Sequence, residues 1–206
     1  ASILGSTGSG KSWAVALILE KASKLKYPNI IVLDMHGEYT PLTDKEAEGF
    51  ASSFKVAGPG DLQNPTENIV FLPYWLLNRE EMLSMLLDRS DQNAPNQASR
   101  FTLHVRELKD KTLVNEKKAD IRKTFTVDSP VPYLLTDLVK RLQDDDTRKG
   151  VGAKGQPVKG YWEGKLSRFI SRLQAKIEDR RYGFMFQPPK AALDYEWLGK
   201  QMSKLL

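Results

Sequence analysis

The chain has 206 residues, 40% hydrophobic and 28% charged, the size and balance of one globular domain with a real core, or of one domain with an extension. It contains no cysteine, which excludes a disulfide framework and a thiolate metal site and suits the reducing cytoplasm; no apolar run reaches the length of a membrane-spanning helix. The net charge of +5 is uneven: residues 140–181 hold 12 Lys or Arg against 6 Asp or Glu, the pattern of a local patch facing a polyanion.

In chain order, Ser2-Ile3-Leu4 predicts a short first strand, and a start at Ala1 without Met predicts that further sequence precedes it. The glycine-rich octad Gly5-Ser6-Thr7-Gly8-Ser9-Gly10-Lys11-Ser12 comes next, and Trp13–Lys21 reads as a buried helix rich in helix formers. Tyr27-Pro28-Asn29 breaks that helix. Ile30-Ile31-Val32-Leu33, apolar on both faces, predicts a strand of a helix-covered parallel sheet, ending at Asp34. Further strands are expected at 53–57 and 68–72, with turn chemistry at Gly58-Pro59-Gly60-Asp61 and a stop at Pro73.

From Asn78 the texture turns helical. Asn78 followed three residues later by Glu81 is a capping-box pattern, and helices are expected at 79–89, 95–110 and 132–143. The polar, glycine-rich stretch 144–160 reads as a mobile surface loop. Trp162, Leu166, Phe169, Ile170, Leu173 and Ile177 recur at helical spacing, with Lys165, Arg168, Arg172 and Lys176 on another face. A strand at 182–186 and a last helix at 195–206 complete the expectation.

The octad carries the chemistry. It has the spacing of a phosphate loop, glycine, four residues, glycine, lysine and serine, between a strand and a helix. Glycines let backbone N–H groups of Ser6, Thr7, Gly8, Ser9 and Gly10 close around phosphate oxygens, and the helix aims its positive end at the same charge. Lys11 is expected to reach the β and γ phosphates of ATP and the Ser12 hydroxyl to ligate Mg²⁺. Trp13 would border the nucleotide. Asp34, at the end of an apolar strand, imitates the carboxylate that holds the metal through water, or simply terminates the strand.

The stretch Ile31-Val32-Leu33-Asp34-Met35-His36-Gly37-Glu38-Tyr39 behind such a loop resembles the HerA branch of the FtsK/HerA superfamily of hexameric DNA-translocating ATPases. A late segment from Leu173 through Asp179, Arg181 and Tyr182-Gly183-Phe184-Met185-Phe186 is similar to the family's approach to its Walker B strand. The resemblance implies an α/β fold, a P-loop NTPase of RecA/FtsK-like kind with a mostly parallel sheet flanked by helices and a helical insertion. Its expected parts are a nucleotide-binding core at 1–77, the helical insertion with its basic loop at 78–181, and a return toward the core at 182–206. It implies that Gly8, Gly10, Lys11 and Ser12 cradle ATP and Mg²⁺, and that Asp34, His36 and Glu38 lie near the γ-phosphate or a subunit boundary, with Lys11 and Glu38 catalytic. No later apolar run ending in Asp-Glu occurs before Leu206, so the Walker B strand and the arginine fingers downstream of it are expected outside this chain.

A DNA-translocating or helicase ATPase of this kind would act as a homo-oligomeric ring, a hexamer, on double-stranded DNA, in the cytoplasm, with a nuclease or an antiviral-defence effector as partner. Phosphate contacts are expected from Arg148, Lys149, Lys154 and Lys159 in the basic loop, or from the stripe Lys165, Arg168, Arg172 and Lys176. Arg180 and Arg181 read as arginine-finger candidates or as partners of Glu178 and Asp179. Trp75, Trp162 and Trp197 read as core or interface, and His104 as a surface or interface residue. Two alternatives stay open: a small-molecule or nucleotide kinase, and an ATP-gated scaffold that activates an effector.

Overall fold

A computed structural model describes residues 3–205. The chain divides into two units, one running to Lys55 and the other from Val56 to Leu205, a boundary inside the 1–77 stretch that the sequence assigns to the nucleotide-binding core.

The first unit is built around helix α1 (Lys11–Ser23). The helix starts where the glycine loop ends, as its helix-forming sequence predicts. The expectation of burial is corrected, because none of its residues is buried and Trp13 is 78% exposed. The expected strand at Ile30–Leu33 is not formed. A strand satisfies its N–H and C=O groups only through a neighbour, and among the described residues no strand of this unit pairs with 30–33. Ile31 and Leu33 are accordingly exposed. Of the expected strand at 2–4, Ser2 lies outside the described residues, and Ile3 and Leu4 belong to no strand. Past Asp34 the chain makes two short 3-10 turns, Thr40–Thr43 and Lys45–Ala47; the Asp44 side chain caps the second by accepting from the Glu46 N–H at 3.0 Å.

Strand β1 (Lys55–Val56), which begins at the boundary, and β2 (Ile69–Val70) form a two-stranded ladder. The rest of the second unit is mostly helical: α2 (Arg79–Leu86), α3 (Ala94–Asn115), α4 (Ala119–Thr124), α5 (Leu135–Thr147), α6 (Ser167–Glu178), α7 (Gly183–Phe186) and α8 (Trp197–Leu205). The class is thus α/β with short strands. The Asn78 capping box forms as expected: Asn78 Oδ1 accepts from the Glu81 N–H at 2.9 Å and Glu81 Oε2 from the Asn78 N–H at 2.8 Å. Helix α3 packs on α5, and α5 on α6. Phe101, Val105 and Leu108 of α3, Leu138 and Leu142 of α5, and Phe169 and Leu173 of α6 are buried at helical spacing in one core. Trp75 and Trp197 meet in that core edge to face at 5.9 Å.

Two further expectations are corrected. The segment 144–160 is not wholly a loop, because α5 runs on to Thr147 and β3 (Gly150–Val151) pairs antiparallel with β4 (Pro157–Val158), Gly150 opposite Val158. The expected strand at 182–186 is a 3-10 turn (Arg180–Tyr182) followed by α7. The Asp179 carboxylate caps the Arg181 N–H at 3.0 Å, and a helical turn buries Gly183 and Phe186.

Lys109 and Asp145 put charge into the interior of this unit. Lys109 of α3 is only 1% exposed, and its ammonium donates to the carbonyls of Val127 and Ser129, each at 2.6 Å. Burial pulls its pKa down to about 8, against the attraction of Asp128. The unfolded chain keeps this proton to a higher pH than the folded one. Stability contributed by Lys109 therefore rises with pH between the folded value of about 8 and the ordinary lysine value of 10.5. Denaturant unfolding of the chain is expected to gain up to about 3 kcal/mol over that window, and Lys109→Met is expected to lose the gain.

Candidate functional site

The loop preceding α1 is open to solvent throughout residues 3–10. Gly8 and Gly10 both take φ near +80°, at 82° and 80°, a conformation that side chains disfavour. A Cβ at either would meet nothing within 4 Å, so backbone conformation and not crowding demands glycine there. Gly10 is the N-cap of α1 and offers no side-chain cap. The first-turn amides of Lys11, Ser12 and Trp13 therefore have no intrahelical acceptor, which makes this helix start a donor cluster for an anion. The Lys11 ammonium folds back on the Ser6 carbonyl at 2.6 Å, and the Ser9 N–H donates to the same oxygen at 3.2 Å.

Opposite Ser12 stands Glu38. The Ser12 hydroxyl donates to Glu38 Oε2 at 2.5 Å, although 26 residues separate them in the chain. The Asp34 carboxylate sets this up: Oδ1 accepts from the Glu38 N–H at 3.1 Å and Oδ2 from the Tyr39 N–H at 3.0 Å. These amides, Tyr39 first, hold the Asp34 carboxyl below its ordinary pKa against a smaller opposing effect of desolvation. Gly37, with φ 72°, makes the bend between them, and Thr40 Oγ1 donates to its carbonyl at 2.9 Å. Asp34 thus organises the turn that presents Glu38. His36 is exposed on that turn. Within this unit the structure brings together Ser6, Lys11, Ser12, Asp34 and Glu38, with Trp13 exposed on the first helical turn. Ser12 and Glu38 are hard oxygen donors of the kind Mg²⁺ selects, and the free first-turn amides suit phosphate, so the residues fit both groups.

The basic residues of the second unit fare unequally. Lys149 is paired with Glu163, while Arg148, Lys154 and Lys159 are exposed around the β3–β4 hairpin. Of the α6 stripe, Arg172 is paired with Asp88 at 2.7 Å, and Lys176 sits 3.9 Å from the Tyr182 ring centroid. Arg180 donates to the Pro59 carbonyl at 2.7 Å and Arg181 is chelated by Asp179 at 2.8 Å. Both arginines serve their own unit in this structure. His104, read from sequence as a surface or interface residue, is buried and meets Asp145 at 2.6 Å. Arg100 joins the same carboxylate oxygen at 2.6 Å. Burial pushes Asp145 up, but the hydrogen bonds from His104 and Arg100 outweigh it and leave its carboxyl below the ordinary range.

Among the described residues no cluster of three or more His, Cys, Asp or Glu is arranged to hold a metal by itself, and no helix is long and apolar enough to cross a membrane. The family model described as "Helicase HerA, central domain" matches residues 1–203. A search of curated proteins returns no match.

Removing the acceptors at Asp34 should free Glu38 from Ser12. In Asp34→Ala, hydrogen exchange of the Glu38 and Tyr39 amides is expected to accelerate severalfold with the loss of their acceptors, while exchange in α3 stays unchanged. Because the Asp34 pKa is depressed, acid should have the same effect: protection of these two amides is expected above the ordinary carboxylate range and is lost as the pH falls through the folded-state value.

Proposed function

The chain belongs to the helicase HerA central-domain family, and from that premise we propose that it carries the nucleotide-binding loop of an ATP-driven motor acting on double-stranded DNA. The single observation that supports this most is the Ser12–Glu38 contact at 2.5 Å, which places a carboxylate beside the hydroxyl expected to meet the metal. Bound Mg²⁺ would neutralise charge on the phosphates. The chain's own residues do the rest. The first-turn amides of α1 take phosphate oxygens, and Lys11 exchanges the Ser6 carbonyl for the β and γ phosphates. Ser12 would hold the metal through its hydroxyl oxygen while still donating its proton to Glu38. That second bond orients the hydroxyl and leaves Glu38 able to order a water near the γ-phosphate. Asp34 acts on nucleotide through Glu38, by fixing the turn.

The mostly parallel sheet, the ring of six copies, the cytoplasmic setting and the nuclease or defence effector are part of the same proposal. So is the DNA grip: Arg148, Lys149, Lys154 and Lys159 contact phosphates without regard to sequence. Lys154 lies between β3 and β4 and is exposed, the placement a phosphate contact needs.

Three outcomes check the proposal. Lys11→Ala is expected to lower ATP hydrolysis by about a hundredfold or more, the usual cost of a lost transition-state donor; a kinase would instead move phosphate to a metabolite, and a scaffold would keep its assembly and effector activation without turnover. Glu38→Gln is expected to leave nucleotide binding intact, read by calorimetric titration, while lowering ATP hydrolysis by about a hundredfold, the usual cost of a lost water-ordering base. Lys154→Ala is expected to weaken duplex binding equally across sequences and to reduce the salt slope of log K by roughly 0.9.

A further inference from the structure

Tyr161, directly after the hairpin, is 72% exposed, although the residues on both sides of it are held firmly. On one side, Glu163 accepts from the Gly160 N–H at 3.0 Å and pairs with Lys149, closing the root of the β3–β4 hairpin. On the other, Asp146 of α5 accepts from the Leu166 N–H at 2.7 Å and from Ser167 Oγ at 2.6 Å, and its carbonyl accepts from the Gly164 N–H at 3.0 Å. The ring itself is supported. Trp162 meets it edge to face, centroids 4.5 Å apart and planes at 86°, and the Lys165 ammonium lies 4.2 Å from its centroid. Trp162 is steadied in turn by the Arg100 guanidinium, 5.2 Å from its ring and fixed by Asp145. A large aromatic face is therefore presented to water in a fixed position, so little conformational entropy remains to be lost when something covers it.

Resting on the reading that the ligand is DNA, we infer that Tyr161, backed by Trp162 and Lys165, is a stacking platform for the bases of an unpaired strand. Lys154 and Lys159 of the hairpin would take the neighbouring phosphates. Two physical features select this ligand. An aromatic face next to exposed cations matches the alternation of base and phosphate along a single strand, and stacking tolerates any base because every base has a π-face. Duplex bases are already stacked on one another, so an exposed tyrosine reaches only their phosphates; an unpaired base can lie on the ring. The motor would thus carry a contact that distinguishes opened from closed DNA, separate from the phosphate grip.

The test compares three fluorescent oligonucleotides of equal length on the full chain by anisotropy: oligothymidylate, an abasic deoxyribose-phosphate strand, and a duplex. Oligothymidylate is expected to bind roughly tenfold more tightly than the abasic strand. Tyr161→Ala should remove that preference and leave duplex affinity unchanged, whereas Tyr161→Phe should keep it. Lys154→Ala should weaken all three alike. Equal affinity for the thymidylate and abasic strands, or a preference that survives Tyr161→Ala, overturns the platform even if duplex binding and ATP turnover stand. A change in assembly mass in Tyr161→Ala, with oligonucleotide affinities unaltered, also overturns it and assigns the ring to contact between copies. Loss of duplex binding by the unsubstituted chain would instead sink the motor reading itself.

Discussion

The candidate site depends on one hydrogen bond, from the Ser12 hydroxyl to the Glu38 carboxylate. It joins the glycine loop to the turn after residue 33, two pieces of chain that share no strand pairing among the described residues. Each end is set by backbone chemistry. Ser12 lies on the first turn of α1, where the glycine N-cap leaves the amides open, and Glu38 follows a bend at Gly37 whose amides are gathered by Asp34. The contact is exposed, so its importance is positional. It holds a negative group beside the Ser12 hydroxyl, while the Lys11 ammonium is satisfied separately by the Ser6 carbonyl.

The second unit solves a different problem, that of keeping charge inside a helical core. Asp145 is compensated by two donors from α3, His104 and Arg100, so that α3 and α5 are pinned at one point as well as packed along their apolar faces. Nδ1 of His104 makes no hydrogen bond and lies 3.5 Å from Glu107 Oε2. Lys109 is compensated differently, by the carbonyl dipoles of 127 and 129 with a weaker attraction from Asp128, and burial outweighs these and makes its ammonium easier to discharge. The two arrangements order the segment before α5 and the far end of α5. That far end supplies Asp146, the residue that roots the chain beyond the hairpin. Rigidity in the core is thereby passed to a surface that carries exposed cations and an exposed tyrosine.

What could be read without coordinates was local. The Asn78–Glu81 cap spans three residues and forms as its pattern predicts. The α6 stripe repeats within a few turns of helix, and the burial of Phe169, Ile170 and Leu173 follows it. The misreadings have a common origin in distant partners. Gly- and Lys-rich 144–160 looks mobile by composition, yet its helical beginning is held by Asp145, whose partner His104 lies 41 residues away, and its hairpin is closed by Glu163. His104 shares the helical spacing of Phe101, Val105 and Leu108, so a local signal of its burial was present, but its polar type obscured it. Ile30–Leu33 has strand composition, but composition alone does not supply the neighbouring backbone that a strand requires.

By itself the sequence determined the glycine loop, the helix start behind it, the helix caps and the amphipathic stripes, because each depends on backbone preferences and side-chain spacings within about two helical turns. Only the tertiary structure decided that Glu38 meets Ser12, that His104 is an interior partner of Asp145, and that Tyr161 stands exposed on a rooted support. Those outcomes require the chain to return on itself across tens of residues, and the free energy that selects the return is shared among many weak contacts with no local spacing to record it.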